Sequence, residues 1–342
     1  MASLRAPIGK RYDRNWKKHK LSSPSYNDVR VIFLKTFLRF SAVILMIATS
    51  FYLWSHPKKN EDKTEPVKPV KEETKTEAKM YTVKLHRSDG SEVTLDLEEY
   101  LEGVVGSEMP AAFEIEALKS QAVAARTFAA NRGFEVDDTT SSQVYQDESQ
   151  LKQVWAESYD ERKQKVHEAV SSTCGEVMKY QGEIITAPFF SSSPGKTANS
   201  QEYWKGETPY LKSVESPWDD QVNEGNTQRA EFDILSFSQA LGFQNPVTEI
   251  GQPVYYDSGY VKEITIDQIT FSGRKIREAL KLRSSCFEMQ RNKDTIVITT
   301  KGFGHGIGMS QYGAQGMALE GYDYKEILKH YYTGIEIVSL DE

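Results

Sequence analysis

"LEEYLEGVVGSEMPAAFEIEALKSQAVAARTFAAN", Leu97 to Asn131, decides how the chain folds. Asp96 precedes it as a helix N-cap, and Leu97, Leu101, Val104 and Val105 then line one face at helical spacing. Pro110 disfavours helical geometry at the residue before it, so this helix must stop near Glu108. A second helix is predicted from about Glu114 to Asn131, with Ile115, Leu118, Ala122, Ala125 and Ala129 on one face. So many alanines let a neighbouring element approach closely. Glu108 therefore falls at the break between two packed helices, where a carboxyl group kept partly dry by Val104, Val105, Met109 and Phe113 would hold its proton towards neutral pH. Lys119, Val123 and Arg126 share another face of the second helix. The two cations form either a solvated stripe or a charged flank beside Glu108.

The pattern continues on both sides. "MYTVKLHRSDGSEVTLDL", from Met80, alternates apolar and polar residues around a Ser-Asp-Gly turn, which predicts a hairpin. Residues 139–170 read as a loop, "TTSSQVYQDES", followed by one amphipathic helix carrying Val154, Trp155, Tyr159, Val166 and Val170. "GEVMKYQGEIITAPFF", from Gly175, reads as two strands around Gln181-Gly182. The next segment, "SSSPGKTANSQEYWKG", is a polar loop. A phosphate loop is excluded, because the required glycine spacing before Lys196 is absent. Between 210 and 300 short strands such as "VKEITID" and "DTIVITT" alternate with "SGRKIREALKL", a helix with a serine N-cap. The chain ends in a glycine-rich loop from Gly302 and a helix over Tyr324 to Tyr332. Strands and helices mix without a βαβ rhythm, so the expected fold is α+β, with mainly antiparallel strands in one compact body over 80–342.

The chain has 342 residues, 39% of them apolar, which is ample for a sizeable core. Its net charge of −7 is unevenly spread. Residues 1–39 hold ten Lys or Arg against Asp13 and Asp28, so the rest is strongly acidic. An acidic body argues against nucleic acid as a partner. The six histidines are scattered and no metal-ligand spacing appears, so neither metal nor cofactor is expected. Cys174 and Cys286 read as small buried thiols, with a disulfide left open.

Residues 31–54 are mainly apolar and uncharged apart from Lys35 and Arg39, and their length suits one transmembrane helix, which needs about 20 residues. The run ends in Phe51, Tyr52, Leu53 and Trp54, bulky residues where a cleavable signal would place small ones. An uncleaved anchor is expected. The basic segment 1–30 puts the N-terminus in the cytoplasm and the body on the other side. Residues 55–79 are rich in Lys, Glu, Thr and Pro, with Val67 and Val70 as their large apolar residues; they read as a disordered tether.

Three segments carry a resemblance. "YLEGVVGSEMPAAFEIEALKSQAVAARTFA" (100–129), "APFFSSSPGKTANSQEYWKGETPYLKSVESPWD" (187–219) and "GFGHGIGMSQYGAQGMALEGYDYKEILKHYYTG" (302–334) together resemble the stage II sporulation protein D family of endospore-forming bacteria. Where many members have a histidine and a Gly-Gly pair in the second segment, this chain has Phe190 and Pro194-Gly195. The resemblance implies a lytic transglycosylase of peptidoglycan, held in the mother-cell membrane and facing the space between the mother-cell and forespore membranes during engulfment. Its implied partners are the glycan strands and stage II sporulation proteins P, an amidase and endopeptidase, and M, a membrane protein. The amidase strips the stem peptides, and the bare glycan is then cut.

A single carboxyl group suffices for that chemistry, so Glu108 is the expected catalytic residue. The glycine loop offers His305, Ser310, Gln311 and Tyr312 for hydrogen bonds to a sugar, its glycines letting backbone come close. Ser192, Ser193, Lys196 and Tyr203 are further candidates for the groove, and Trp204 for stacking on a sugar face. Lys119 and Arg126 either stabilise ionised Glu108 or hold substrate groups. Two other functions compete: a non-catalytic anchored scaffold that activates an amidase, and a two-carboxylate hydrolase drawing on Glu114, Glu116 or Asp219.

Overall fold

The structure, a computed structural model, describes residues 80–140 and 142–342. The basic segment, the expected membrane anchor at 31–54 and the tether lie outside the described residues. Among the described residues no helix is long and apolar enough to cross a membrane.

The hairpin forms as its alternation predicts. Strands β1 (Thr82–His86) and β2 (Glu92–Asp96) pair antiparallel, with Thr82 opposite Asp96. Val83 and Leu85 point into the core, and β3 (Glu135–Asp137) adds alongside β1 in parallel. Asp96 ends β2 and caps α1 (Leu97–Glu108), its side chain accepting from the Glu98 and Glu99 N–H groups. Helix α1 stops at Glu108 because Met109 is extended, at φ −122° and ψ 137°, as the residue before a proline should be.

Helix α2 (Ile115–Asn131) is the central rod. It packs against α1, α4 (Tyr159–Ser171), β4 (Glu176–Tyr180), α9 (Gln311–Leu319) and α10 (Tyr324–Tyr331). A helix covered on all sides cannot afford large side chains everywhere. Ala117, Ala122, Ala124, Ala125 and Ala129 are all fully buried. Polar residues on this rod are buried too and bond locally: Ser120 to the Ala117 carbonyl, Thr127 to the Val123 carbonyl.

Residues 148–171 depart from the single expected helix. They form α3 (Glu148–Trp155) and α4, separated by a tight turn at 156–158. Ala156 sits at φ +47°, a left-handed geometry that no helix interior adopts. Val154 is consequently exposed, whereas Trp155, Tyr159, Val166 and Val170 are buried. After α4, β4 turns through Gln181 and Gly182, both at positive φ, into β5 (Glu183–Ile184). Strand β6 (Phe189–Phe190) pairs in parallel with β13 (Met309–Ser310), which joins the polar loop to the C-terminal glycine loop. Short helices α5 (Ser200–Tyr203) and α6 (Trp218–Val222) follow. The C-terminal β14 (Glu336–Ser339) closes against β4.

A second hydrophobic core is built from residues 234–298. Strand β12 (Thr295–Lys301) lies between β7 (Thr227–Asp233) and β11 (Phe287–Asn292) in one antiparallel sheet. Strands β8 (Val254–Tyr255), β9 (Val261–Ile266) and β10 (Ile269–Ser272) make another. Helices α7 (Ile234–Ala240) and α8 (Gly273–Leu280) pack on them through Phe237 and Ile276, with Ser272 capping α8 as its sequence predicts. The body is α+β, and its sheets are mainly antiparallel.

Neither cysteine is buried. Cys174 is exposed, Cys286 is half-buried, and both are free thiols. Cys174 sits in the turn between α4 and β4, where the chain has already left the core.

Candidate functional site

Glu108 is the last residue of α1 and half-buried; Val104, Val105, Met109 and Phe113 belong to the core, and none of them lines the groove with it. It lines a groove of about 730 Å³. The apolar lining it shares there is Phe128, Pro188, Phe189 and Phe190. One carboxylate oxygen accepts a hydrogen bond of 2.6 Å from the Val144 N–H. Burial pushes the Glu108 carboxyl above its ordinary value, and the Val144 N–H opposes that only in part. Neither Lys119 nor Arg126 contributes, because both are engaged elsewhere.

The structure withdraws both cations from the groove. Arg126 is fully buried on the other side of α2. Its guanidinium forms a fork with Glu98, at 2.9 and 2.5 Å, and donates to the Glu176 and Val170 carbonyls. With four of its five N–H donors used and no exposed surface, this guanidinium is not presented to a ligand in the groove. Lys119 pairs with Glu116 at 2.7 Å and lies over the Tyr324 ring. Both residues tie the rod α2 to its neighbours.

Gln311 acts from behind. Its side-chain amide donates to the Glu108 carbonyl at 3.0 Å and to Gln121 at 3.3 Å, so the C-terminal segment grips the helix end that carries the carboxyl group. Ser310 caps α9 by accepting from the Gly313 N–H and donates its own hydroxyl to Asp219. Asp219 is fully buried and also accepts from the Ser193 N–H and hydroxyl and from the Ser216 hydroxyl. Ser193 and Ser310 are therefore anchors of a buried carboxyl hub, not groove residues. Ser192 is buried and paired through its backbone with Phe303. Lys196 makes an ion pair with Glu215 at 3.2 Å. Tyr312 packs its ring edge on Phe113. None of these lines the groove.

Tyr203, Trp204 and His305 do. The imidazole lies among the rings of Phe190, Tyr203 and Trp204, with centroids 5.5–5.8 Å away. Its Nδ1 accepts from the Ile307 N–H at 3.1 Å, which leaves the proton on Nε2. Burial, then the nearby Arg277 charge, pull its pKa down to about 4, so the ring is neutral at physiological pH. The glycines around it are required by packing as well, and Gly304 itself lines the groove. A Cβ on Gly304 would fall 2.6 Å from that of Phe190, and one on Gly308 would fall 2.0 Å from the Pro188 carbonyl oxygen. Both sit at positive φ. They let the loop lie flush against residues 188–192.

Glu108 is the one carboxylate among the groove's lining residues. Asp219 is enclosed, Glu116 is held by Lys119 and the Tyr324 N–H, and Glu114 is exposed outside the groove. Among the described residues no group of three His, Cys, Asp or Glu side chains could hold a metal ion. The groove also contains residues the sequence reading missed: Arg132 at the end of α2, and Arg274 and Arg277 on α8. In sequence the latter two look like one turn of an ordinary amphipathic helix. Nothing local links them to Glu108.

An α+β body with a single half-buried carboxyl group in a groove lined by aromatic rings is the class that fold and site define. A family model described as Stage II sporulation protein matches residues 90–180. The chain is 43% identical to Stage II sporulation protein D of Bacillus amyloliquefaciens over 81% of its own length and 83% of the relative's. It is 40% identical to the protein of that name from Bacillus subtilis strain 168, over 88% and 94%. A protein named Amidase enhancer, also from Bacillus subtilis strain 168, is 31% identical over 70% of this chain and 40% of its own length. The chain belongs to the stage II sporulation protein D family.

Proposed function

We propose that this sporulation protein is a membrane-anchored lytic transglycosylase that cleaves the bond between N-acetylmuramic acid and N-acetylglucosamine in denuded glycan strands during engulfment. It would act outside the mother-cell membrane, anchored through residues 31–54, together with stage II sporulation proteins P and M. The observation that carries this reading is the single carboxyl group. A glycoside hydrolase of the usual type needs two, one on each side of the scissile bond. Here the groove offers Glu108 alone.

One glutamate can serve both halves of a transglycosylation. In the first, Glu108 gives its proton to the bridging oxygen as the anomeric bond breaks, and the N-acetylglucosamine leaves with a new hydroxyl. Its raised pKa supplies the protonated form needed to start. In the second, the 6-hydroxyl of the muramic acid attacks its own anomeric carbon, and the carboxylate takes the hydroxyl proton. A 1,6-anhydro ring forms, no water is consumed, and Glu108 returns to its acid form. The Val144 N–H, already on one oxygen, supports the carboxylate between the two halves. Tyr203 and Trp204 offer ring faces to the sugars, and His305 stays neutral in the groove wall, held by the backbone of Ile307 and Phe189.

The relative named Amidase enhancer supports a second reading, in which the protein activates an amidase without cutting glycan. Digestion of amidase-treated glycan strands by the full-length protein in detergent micelles separates the two. Anhydro-muramic ends that fall by about 10²–10⁴-fold in Glu108→Gln are expected. No cleavage by the wild type, with amidase stimulation that survives Glu108→Gln, would leave the second reading.

A further inference from the structure

The Val144 N–H that meets Glu108 belongs to the segment joining β3 to α3, and Val144 does not hold itself in place. Its side chain is not part of the core, and among the described residues no backbone–backbone hydrogen bond ties down residues 143–146. Its two neighbours are pinned instead. Gln143 is fully buried and bridges α1 and α2: its side-chain carbonyl accepts from the Tyr100 hydroxyl at 3.0 Å, and its amide donates to the Ala125 carbonyl at 3.3 Å. Tyr145 stacks on the Tyr100 ring, with centroids 5.6 Å apart, and lies so close over Gly103 that a Cβ there would fall 2.3 Å from it. One step earlier, the Ser142 hydroxyl donates to Asp137 at 2.7 Å. A buried amide bonded at both ends permits one backbone placement. Val144, strapped down on either side, therefore presents its N–H at one point, and 2.6 Å from it lies Oε1 of Glu108. Among the described residues no other donor meets this carboxyl group.

We propose that Gln143 is a positioning residue of the Glu108 site: by fixing the Val144 N–H on Oε1, it leaves Oε2 as the oxygen that carries, gives up and takes back the proton. The proposal rests on the glycan reading above and deepens it. An N–H can only donate, so the oxygen it meets serves as an acceptor in both protonation states. Both proton transfers then run through one oxygen in one place, and the carboxylate that exists between them keeps its donor. Without that donor the carboxyl group would turn about its last torsion, whose preferences are broad, and burial would act unopposed on the ionised form. Gln143 itself touches no reacting atom. It is absent from the groove lining, which its neighbour Ser142 enters.

Gln143→Met keeps the shape of the side chain and removes both of its hydrogen bonds. Two measurements on the full-length protein in detergent micelles test the proposal. The first follows the titration of Glu108 by NMR of glutamate labelled with carbon-13 at the carboxyl group, assigned by the signal lost in Glu108→Gln; it needs no substrate. The second is the pH profile of kcat/KM on denuded glycan. The Glu108 titration and the alkaline limb of the profile should move to higher pH together, and kcat should fall about 10–100-fold with KM little changed. The other ionisable groups of the groove, Arg132, Tyr203, Arg274, Arg277 and His305, stay as they are. Tyr100→Phe is the second variant: it keeps the ring and its stack on Tyr145 but takes the hydroxyl away from Gln143. That hydroxyl is held above its ordinary value by burial and then by the Glu108 charge, so its loss removes no charge near neutral pH. The Glu108 titration should move the same way in this variant, which carries the test if Gln143→Met does not fold. A titration that stays in place in the folded variants would overturn the proposal, whatever happens to activity. A titration that moves in a protein that cuts no glycan would uphold the positioning and overturn the glycan reading instead.

Discussion

At the scale of single residues, Glu108 and Arg126 show how differently two ionisable groups are used. Glu108 is kept dry without a cationic partner, so its protonated form persists above the usual carboxyl range. Because the first half-reaction needs that proton, kcat/KM should decline as pH rises through the raised pKa; a pH profile checks this. His305, with its pKa near 4, should add no second limb between about pH 5 and 8. The linkage has the same sign. A carboxyl group with a raised folded pKa stabilises the fold below its unfolded pKa and loses that contribution as pH climbs through the folded value. Glu108→Gln should therefore flatten the fall in Tm as pH rises from the ordinary carboxyl range through the raised pKa. Arg126 is the opposite case, a buried charge fully paired. Arg126→Ala would strand Glu98 and should cost about 3–5 kcal/mol, whereas Lys119→Ala should stay within about 1 kcal/mol; urea unfolding of both reads the contrast. Glu108 was legible in the sequence because Pro110 fixes the helix end beside it. The role of Arg126 was not, because Glu98 lies 28 positions away and its other acceptors are backbone carbonyls of distant elements.

At the scale of elements, local signals marked what local chemistry decides. The Asp96 cap, the Ser-Asp-Gly hairpin and the Gln181-Gly182 turn all form where side-chain and φ preferences place them. The break between α3 and α4 was not legible, since it falls on Ala156, a residue that carries no turn signal. The glycine loop was recognised as special, but its close packing on Pro188, Phe190, Ser192 and Tyr260 was not legible, because those partners are distant in sequence. Gly308→Ala would drive a methyl group into the Pro188 carbonyl from a left-handed φ and should destabilise by about 2–4 kcal/mol, read as a lower urea midpoint. Asp219→Ala would leave the Ser193 N–H and three hydroxyls without their acceptor, at a cost on the order of 3 kcal/mol. It should also lower cleavage, because Ser310 and Gln311 pass the position of that hub on to the end of α1.

At the scale of the whole molecule, the groove brings together parts that the sequence keeps far apart. Glu108 and Arg132 come from the first core, Arg274 and Arg277 from a helix packed on the second, and His305 from the loop that follows its last strand. The α+β class was readable from the mixture of element types. The second core and its contribution to the groove were not, since a surface arginine on an amphipathic helix looks the same wherever that helix docks. The central claim is that Glu108 works alone and that the sugar's own hydroxyl, not water, closes the product. Digestion of denuded strands in oxygen-18 water, followed by mass spectrometry of the new ends, tests this most directly. The account predicts unlabelled 1,6-anhydro-muramic ends; reducing ends carrying the heavy oxygen would contradict it.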